Sequence, residues 1–302
     1  MTLKDSDYPA IYRAADEASM KGQRTYKRMV SIDLALVVLA SILGTAWVLF
    51  PARYGTAFAG VVAAVLLLIL LAKLVSRQRR DDKDWFDGRA VSESVKTLTW
   101  RYLMRVDPFD EDATCDREFA QELDEIREAR PDLQFAVGAL PDGVADQITP
   151  RMREMRRLPV EDRRNFYVEE RLDEQARWYG KKSRTNHVLA EVFFWGSLVA
   201  QFVALVLAIV RVALPEAQLS LVGPLLALAA ALTAWAQLGR YDELSKSYAL
   251  ANQELLTIKS LANSVATEEE LADWVSDGEG AISREHTMWI AKRGDPLPPR
   301  AS

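Results

Sequence analysis

Four long apolar runs interrupt an otherwise polar chain of 302 residues, at positions 29–50, 54–75, 187–210 and 219–238. Each run contains 20 to 24 residues. A helix of that length rises about 30–36 Å, which is enough to cross the hydrocarbon core of a bilayer. A soluble domain of this size cannot bury four helices that have no polar face. The pattern therefore predicts an all-α integral membrane protein with four transmembrane helices.

The four runs form two pairs, and each pair is joined by a short turn. More than a hundred mostly polar residues separate the pairs, and each pair continues into an amphipathic helix. This arrangement predicts two hairpins in two similar modules with the same orientation, unlike the inverted repeat of many carriers. We predict modules over 1–130 and 149–294, a Pro- and Gly-rich linker over 131–148, and a disordered tail over 295–302.

Basic residues flank the predicted spans on one side only. Lys and Arg cluster before the first and third runs and after the second and fourth, whereas the two turns carry one Arg each, Arg53 and Arg211. Basic residues close to span ends stay in the cytoplasm. We therefore expect a multi-pass protein of the inner (plasma) membrane, with both termini and the long middle segment in the cytoplasm.

Composition excludes several classes of function. The net charge is −5, from 38 Lys and Arg against 43 Asp and Glu, and no strongly basic patch predicts nucleic-acid binding. One cysteine excludes an intramolecular disulfide framework, and two histidines provide no metal-ligand spacing. Since phosphate loops and nucleophile elbows are also missing, we expect no enzyme activity and no cofactor. Acidic neighbours of Cys115 predict a raised thiol pKa.

Few polar side chains occur inside the runs, and each allows two interpretations. Asp33 and Glu191 lie about one turn inside the cytoplasmic boundary, either paired with a nearby Lys or Arg or forming an acidic ring at the inner mouth of an oligomeric pore. Gln201 lies near the middle of the third run, one turn from Ser197, and either bonds across helices or lines a water path. A coupled carrier is disfavoured because no buried basic relay crosses the spans.

Small residues recur every four positions in the third and fourth runs. They are Gly196, Ala200, Ala204, Ala208, Gly223, Ala227 and Ala231. Such faces let helices approach closely in lipid. They predict either packing within one four-helix bundle or an interface between copies of the chain.

An apolar stripe with 3-4 spacing follows the fourth run. Its members are Tyr241, Leu244, Tyr248, Ala251, Leu255 and Ile258. The stripe predicts a helix that packs on its own cytoplasmic domain or associates with a second copy. Further along, Glu285 and Trp289 have i,i+4 spacing, and we expect their helix face to dock against the helices that follow the spans.

Three short segments carry a resemblance to a known family. They are the run YPAIYRAADEAS at 8–19, Arg171 and Leu172 followed by QARWY at 175–179 with Lys182 and Asn186, and the run EGAISREHTMW at 279–289. Together with the two pairs of apolar runs they resemble the SLATT family, the SMODS- and SLOG-associating two-transmembrane effector domains of prokaryotes. The chain is similar to a tandem of two such modules, over roughly 7–106 and 149–292.

The resemblance implies a function that the residues alone do not specify. It implies membrane hairpins with long cytoplasmic helices, and a pore-forming, membrane-perturbing effector role in bacterial conflict or nucleotide-signalling systems. Unlike fused members of the family, this chain carries no recognisable sensor, nucleotidyltransferase or protease domain.

Two hypotheses follow for the function. In the first, the chain oligomerises in the bilayer and forms or gates a pore when its cytoplasmic part changes conformation. In this hypothesis the cytoplasmic part responds to a partner, which is a cytoplasmic protein or a nucleotide signal. In the second, the protein is a membrane-anchored scaffold or sensor whose cytoplasmic helices bind a protein partner without forming a pore.

Overall fold

A computed structural model describes residues 3–79, 81–130, 146–214 and 221–291 of the chain. All regular structure in these ranges is helical, as predicted. The helices are α1 (Ala10–Ala46), α2 (Gly55–Arg79), α3 (Asp81–Met104), α4 (Cys115–Glu128), α5 (Pro150–Arg156), α6 (Val160–Tyr167), α7 (Asp173–Ala213), α8 (Val222–Gly239), α9 (Tyr241–Ser260) and α10 (Glu268–Ala291). A π-helical turn, Val168–Leu172, joins α6 to α7. The tail and most of the predicted linker lie outside the described residues.

Four of these helices contain the apolar runs, and all four are long and apolar enough to cross a membrane. They are α1, α2, α7 and α8. In the most apolar 18-residue window of each, between 6% and 17% of the residues are buried. Apolar side chains exposed on this scale mark a surface that contacts lipid or protein rather than water. The two helices α1 and α7 begin in polar sequence and continue without interruption into their apolar runs.

The chain folds into two compact units, and each unit draws on both halves of the sequence. The apolar unit comprises residues 24–81 and 184–245. The polar unit comprises the described residues that remain, on α3–α6, α10 and parts of α1, α7 and α9. The domain boundary at 131–148 stays a prediction.

The polar unit has an aromatic core. Trp100 of α3 lies 5.4 Å from Phe166 and 5.6 Å from Tyr167, measured between ring centroids. Tyr167 in turn meets Trp274 of α10 edge-on at 5.4 Å. Aromatic pairs at these separations add stabilisation beyond the apolar area they bury. This core joins α3, α6 and α10 although they are distant in sequence.

A glycine allows α1 and α3 to approach closely in the polar unit. A Cβ at Gly88 would lie 2.7 Å from the carbonyl oxygen of Ala15 and 2.9 Å from the backbone nitrogen of Ser19. The Ser19 hydroxyl donates to the carbonyl of Trp85 at 2.9 Å. Because both obstructing atoms belong to backbone, this contact requires a residue without a side chain.

Buried arginines cap the carboxyl end of α3. Arg156 donates to the carbonyl of Tyr102 at 2.8 Å, and Arg163 donates to that of Met104 at 3.2 Å. Carbonyls in the last turn of a helix lack the regular hydrogen bonds of the helix interior, and that of Tyr102 also accepts from the Arg105 backbone N–H at 3.3 Å. Arg163 also forms an ion pair with Glu268 of α10. The arginines therefore satisfy a helix end and connect it to α5, α6 and α10.

Candidate functional site

A chain of polar side chains joins α7 to α8 inside the apolar unit. The hydroxyl of Ser197 lies 3.2 Å from the carbonyl of Ala229 and 3.0 Å from the hydroxyl of Thr233. Gln201 donates to the Ser197 hydroxyl at 3.1 Å. Ser197 is buried, so its hydrogen bonds are made within the helix pair. The predicted neighbours Ser197 and Gln201 are thus in contact, and Ser197 makes the hydrogen bond across the helices.

A cavity of about 620 Å³ lies alongside these hydrogen-bonded polar side chains, and we call it the groove. Its polar lining includes the uncharged residues Ser197, Gln201, Thr233 and Gln237 and the charged residues Arg240, Asp242 and Glu243. Its apolar wall includes Phe193, Phe194 and Leu198. Gln201, Thr233 and Gln237 are exposed on this side of the helix pair. Thr233 and Gln237 were not among the site residues predicted from the sequence. Their i,i+4 spacing in an otherwise apolar run was the available signal.

The junction between α8 and α9 forms one end of the groove. Arg240 adopts a left-handed backbone conformation with φ of 48°, which ends α8 before α9 begins. Its guanidinium pairs with Glu243 at 2.6 Å. Tyr241 stacks on Phe193 with 5.5 Å between ring centroids. A Cβ at Gly239 would clash with that tyrosine ring, so glycine makes the turn sterically feasible.

The two predicted carboxylates have different surroundings. Asp33 of α1 faces Lys73 of α2, with 3.8 Å between the Oδ2 and Nζ atoms. Its second oxygen is buried without a hydrogen-bond partner in the described structure. Glu191 is exposed and accepts a hydrogen bond from the Trp195 indole at 3.0 Å. Asp33 thus has the basic neighbour that was predicted, whereas the partner seen for Glu191 is an indole.

The small-residue face of α7 packs tightly over most of its length. Ala200 and Ala204 are buried, and Ala208 is half-buried. A Cβ at Gly196 would lie 3.5 Å from the Leu232 side chain of α8, which is ordinary van der Waals contact. The α7 face therefore serves packing within one chain.

The predicted small-residue face of α8 is less regular. Ala227 and Ala231 are half-buried, and the buried small residue is Ala229, beside Ser197. A Cβ at Gly223 would lie 3.6 Å from the Ser41 hydroxyl of α1. The hydrogen bonds of Ser197 thus place Ala229, which is outside the four-residue pattern, in the seam with α7.

The apolar stripe after the fourth run is divided between the two units. Tyr241 and half-buried Leu244 belong to the apolar unit. In the polar unit Tyr248 stacks on Tyr179 at 5.7 Å between centroids, and Leu255 is buried. The carbonyl of half-buried Ile258 accepts a hydrogen bond from Trp274 of α10 at 2.8 Å. This part of the stripe packs within its own chain. Glu285 and Trp289 lie on α10, but their side chains are outside the described structure.

A buried ion pair lies at the centre of the polar unit, and no sequence pattern had indicated it. Arg171 donates to both carboxylate oxygens of Glu279, at 2.8 and 2.7 Å. The hydroxyls of Tyr167 and Thr97 also donate to this carboxylate, at 3.1 and 2.8 Å. Both ionised side chains are almost fully buried, with 1% and 2% exposure. Arg171 lies in the π-helical turn, and burial raises the pKa of Tyr167 well above its usual value.

The motif segments quoted above converge at this ion pair. Tyr8 belongs to the first segment, Arg171 to the second and Glu279 to the third. Tyr8 accepts a hydrogen bond from Trp100 at 3.2 Å, and the positive charge of Arg171 acts on its phenol. The segments that carry the resemblance therefore build the core of the polar unit.

Cys115 lies at the start of α4. Its thiol is buried, and burial is the main cause of its raised pKa. Asp116 and Asp112 add to the effect, whereas Arg156 opposes it. The predicted direction is confirmed, although burial contributes more than the acidic neighbours. Within the described residues, no group of three or more His, Cys, Asp or Glu side chains is arranged to hold a metal ion.

These features define an all-helical membrane protein with four long apolar helices. The model of SMODS and SLOG-associating 2TM effector domain 3 matches residues 9–164, and that of effector domain 1 matches residues 167–289. The chain therefore belongs to the SLATT family and carries two of its effector domains in tandem, as the resemblance implied. No curated protein and no solved structure matches the chain.

Proposed function

We propose that this protein is a non-enzymatic membrane effector that oligomerises and forms or gates a pore in a prokaryotic conflict or nucleotide-signalling system. The observation that carries the proposal is the match of two effector domains to nearly the whole chain. The four apolar helices, which expose most of their apolar surface, supply the contact with lipid that such an effector requires.

In the proposed topology each module forms one hairpin. Contacts at both ends of the first pair support antiparallel helices. At one end, Asp33 near the start of the first apolar run meets Lys73 near the end of the second. At the other end, beside the turn, Phe50 lies 4.8 Å from Phe58 between ring centroids. In the second pair, the Ser197–Thr233 contact supports the same arrangement. Basic residues outside the turns favour an orientation with both ends of the chain in the cytoplasm, and we place the protein in the inner membrane.

Polar side chains on the outside of the apolar helices support oligomerisation. Gln201, Thr233 and Gln237 are exposed on α7 and α8. Hydrocarbon cannot satisfy the hydrogen bonds of amide and hydroxyl groups. Further copies of the chain would remove this surface from lipid and enclose it. A cytoplasmic protein or nucleotide signal would then act on the polar unit.

The test is permeabilisation of a membrane by the full-length protein. Purified protein is reconstituted into liposomes loaded with a fluorescent dye, and expression is induced in living cells in parallel, with nucleotide messengers as triggers. We expect dye release and loss of the ion gradient. Protein that inserts and assembles but never permeabilises either membrane under any trigger contradicts the proposal.

Substitutions separate the pore from the scaffold alternative. Asp33→Asn, Glu191→Gln and Gln201→Leu alter polar groups that a pore would present to ions, so the leak rate or toxicity should change. Leu67→Ala on the apolar surface of α2 is the matched control and should leave the leak unchanged. A scaffold would tolerate all four substitutions equally.

A further inference from the structure

The groove carries charged side chains at one end and uncharged polar groups from there to the middle of the apolar helices. Phe193 stacks on Tyr241, so the start of the apolar run of α7 lies beside the Arg240–Glu243 ion pair. The rise along α7 from Ala190 to Gln201 is roughly 16 Å, about half of a ~30 Å hydrocarbon core. Charged side chains line the groove only where α8 ends, at Arg240, Asp242 and Glu243. The polar groups further in are hydroxyls and amides, which are neutral.

These amides have unused hydrogen-bonding capacity. The side chain of Gln237 makes no hydrogen bond to the rest of the described structure, and that of Gln201 makes one, to Ser197. A lipid chain lying in the groove would leave these groups unsatisfied, whereas water can satisfy them. The volume of about 620 Å³ far exceeds the roughly 10–15 Å³ that one water molecule needs.

Beyond Gln201 the same helix face becomes apolar. Leu205 follows one turn further along α7 and is 57% exposed, and Ile209 follows another turn on. Apolar constrictions stop the flow of water and ions by dewetting. By contrast, α2 has only Ala, Gly, Val, Leu, Ile and Phe between positions 57 and 72. A hydrated path therefore fits α7 and α8, and lipid contact fits α2.

We propose that the groove is a water-filled vestibule that admits small hydrated solutes of either charge as far as Gln201, where an apolar constriction closes it. The vestibule rests on the proposed pore, to which it assigns α7 and α8 as lining helices. Its neutral inner wall predicts no strong charge selection at Gln201, because selection by charge requires rings of charged side chains. Opening would widen the apolar half that contains Leu205.

Accessibility of introduced cysteines tests the vestibule without requiring conduction. Gln201→Cys, Gln237→Cys and the controls Leu205→Cys and Leu67→Cys are made in the full chain and placed in lipid nanodiscs. The two leucines match in exposure, at 57% each. Because native Cys115 is buried, the parent chain supplies the baseline. Cationic and anionic methanethiosulfonates then label each variant, and labelling in denaturant verifies that each thiol is present and reactive.

We expect both glutamine positions to react at least about tenfold faster than both leucine positions, because a thiol in hydrocarbon remains protonated and does not meet a charged reagent. The two reagents should react at similar rates at Gln201→Cys. If Gln201→Cys reacts as slowly as Leu205→Cys, the groove is dry and the vestibule is overturned, whether or not the protein permeabilises liposomes. A much faster reaction of Gln201→Cys with one of the two charged reagents contradicts the neutral inner wall. Fast labelling without dye release supports the hydrated groove and contradicts only the proposed pore. Gln237→Cys, an exposed site with no hydrogen bond to lose, provides a second test if Gln201→Cys misfolds.

Discussion

The buried pair of Arg171 and Glu279 gives the sharpest prediction for the polar unit. Glu279→Gln would leave the guanidinium buried without a counter-ion, and arginine cannot release its proton. Arg171→Met would leave a buried carboxylate that keeps hydroxyl donors from Tyr167 and Thr97. The two single substitutions should therefore both destabilise the unit.

The expected magnitude follows from burial. Removing one partner of a buried pair costs about 3–5 kcal/mol in free energy of unfolding, because the remaining charge stays out of water. For a unit of this size each kcal/mol lowers Tm by roughly 2–4 °C, so we expect a decrease of roughly 6–20 °C. In contrast, Arg171→Met combined with Glu279→Leu removes both charges. The double variant should be more stable than either single variant.

Thermal unfolding in nanodiscs provides the assay, read from the near-ultraviolet circular dichroism of Trp100 and Trp274, which both contact Tyr167. Glu269→Gln, an exposed change on the same helix α10, is the matched control. Melting of both single variants within about 2 °C of the parent would contradict a buried ion pair at this position. A double variant less stable than either single variant would also contradict it.

Three further predictions concern the polar unit and the close packing of its helices. Gly88→Ala should lower the free energy of unfolding, measured with denaturant, by about 1–3 kcal/mol, because its Cβ meets backbone atoms. Gly60→Ala has nothing within 4 Å of its Cβ and should be neutral or slightly stabilising. Equal effects of the two substitutions would contradict the close approach of α1 and α3. Desolvation opposes ionisation of Asp116, but hydrogen bonds from Tyr102 and Arg153 lower its pKa overall, so stability should fall as the pH drops below about 4 through that lowered value. Asp116→Asn should remove this component from a pH series of urea midpoints, and an unchanged pH profile would count against it. Because burial raises the pKa of Cys115, iodoacetamide at pH 7.5 should modify the folded protein far more slowly than the urea-unfolded chain. The contribution of this thiol to stability should also decrease as the pH rises above about 8.5, and equal alkylation rates would refute its burial.

The predictions from sequence succeeded where local composition decides the outcome. A run of 20 or more apolar residues needs no tertiary partner to form a helix in lipid, because the helix satisfies its own backbone hydrogen bonds. The motif segments were likewise sufficient to place the chain in its family. The stripe from Tyr248 to Leu255 is buried because 3-4 spacing places apolar side chains on one face of a helix.

The polar contacts depended on folding over long distances. Arg171 and Glu279 are 108 positions apart and lie in segments as rich in charge as their exposed neighbours, so sequence could not distinguish the buried pair. Spacing alone also selected Ala227 and Ala231, whereas the hydrogen bonds of Ser197 bring Ala229 into the seam. The stripe that starts at Tyr241 is divided because that tyrosine packs on Phe193 in the apolar unit.

The sequence by itself determined the helical class, the four apolar helices and the tandem family membership, since hydrophobic length and short motifs are properties of contiguous residues. Only the tertiary structure decided that the polar segments of both halves form one unit around a buried ion pair. Tertiary structure also placed Thr233 and Gln237 beside Ser197 and Gln201 along one groove. The physical reason is that burial of a charge or an amide depends on which distant surfaces meet it, and no local pattern records that meeting.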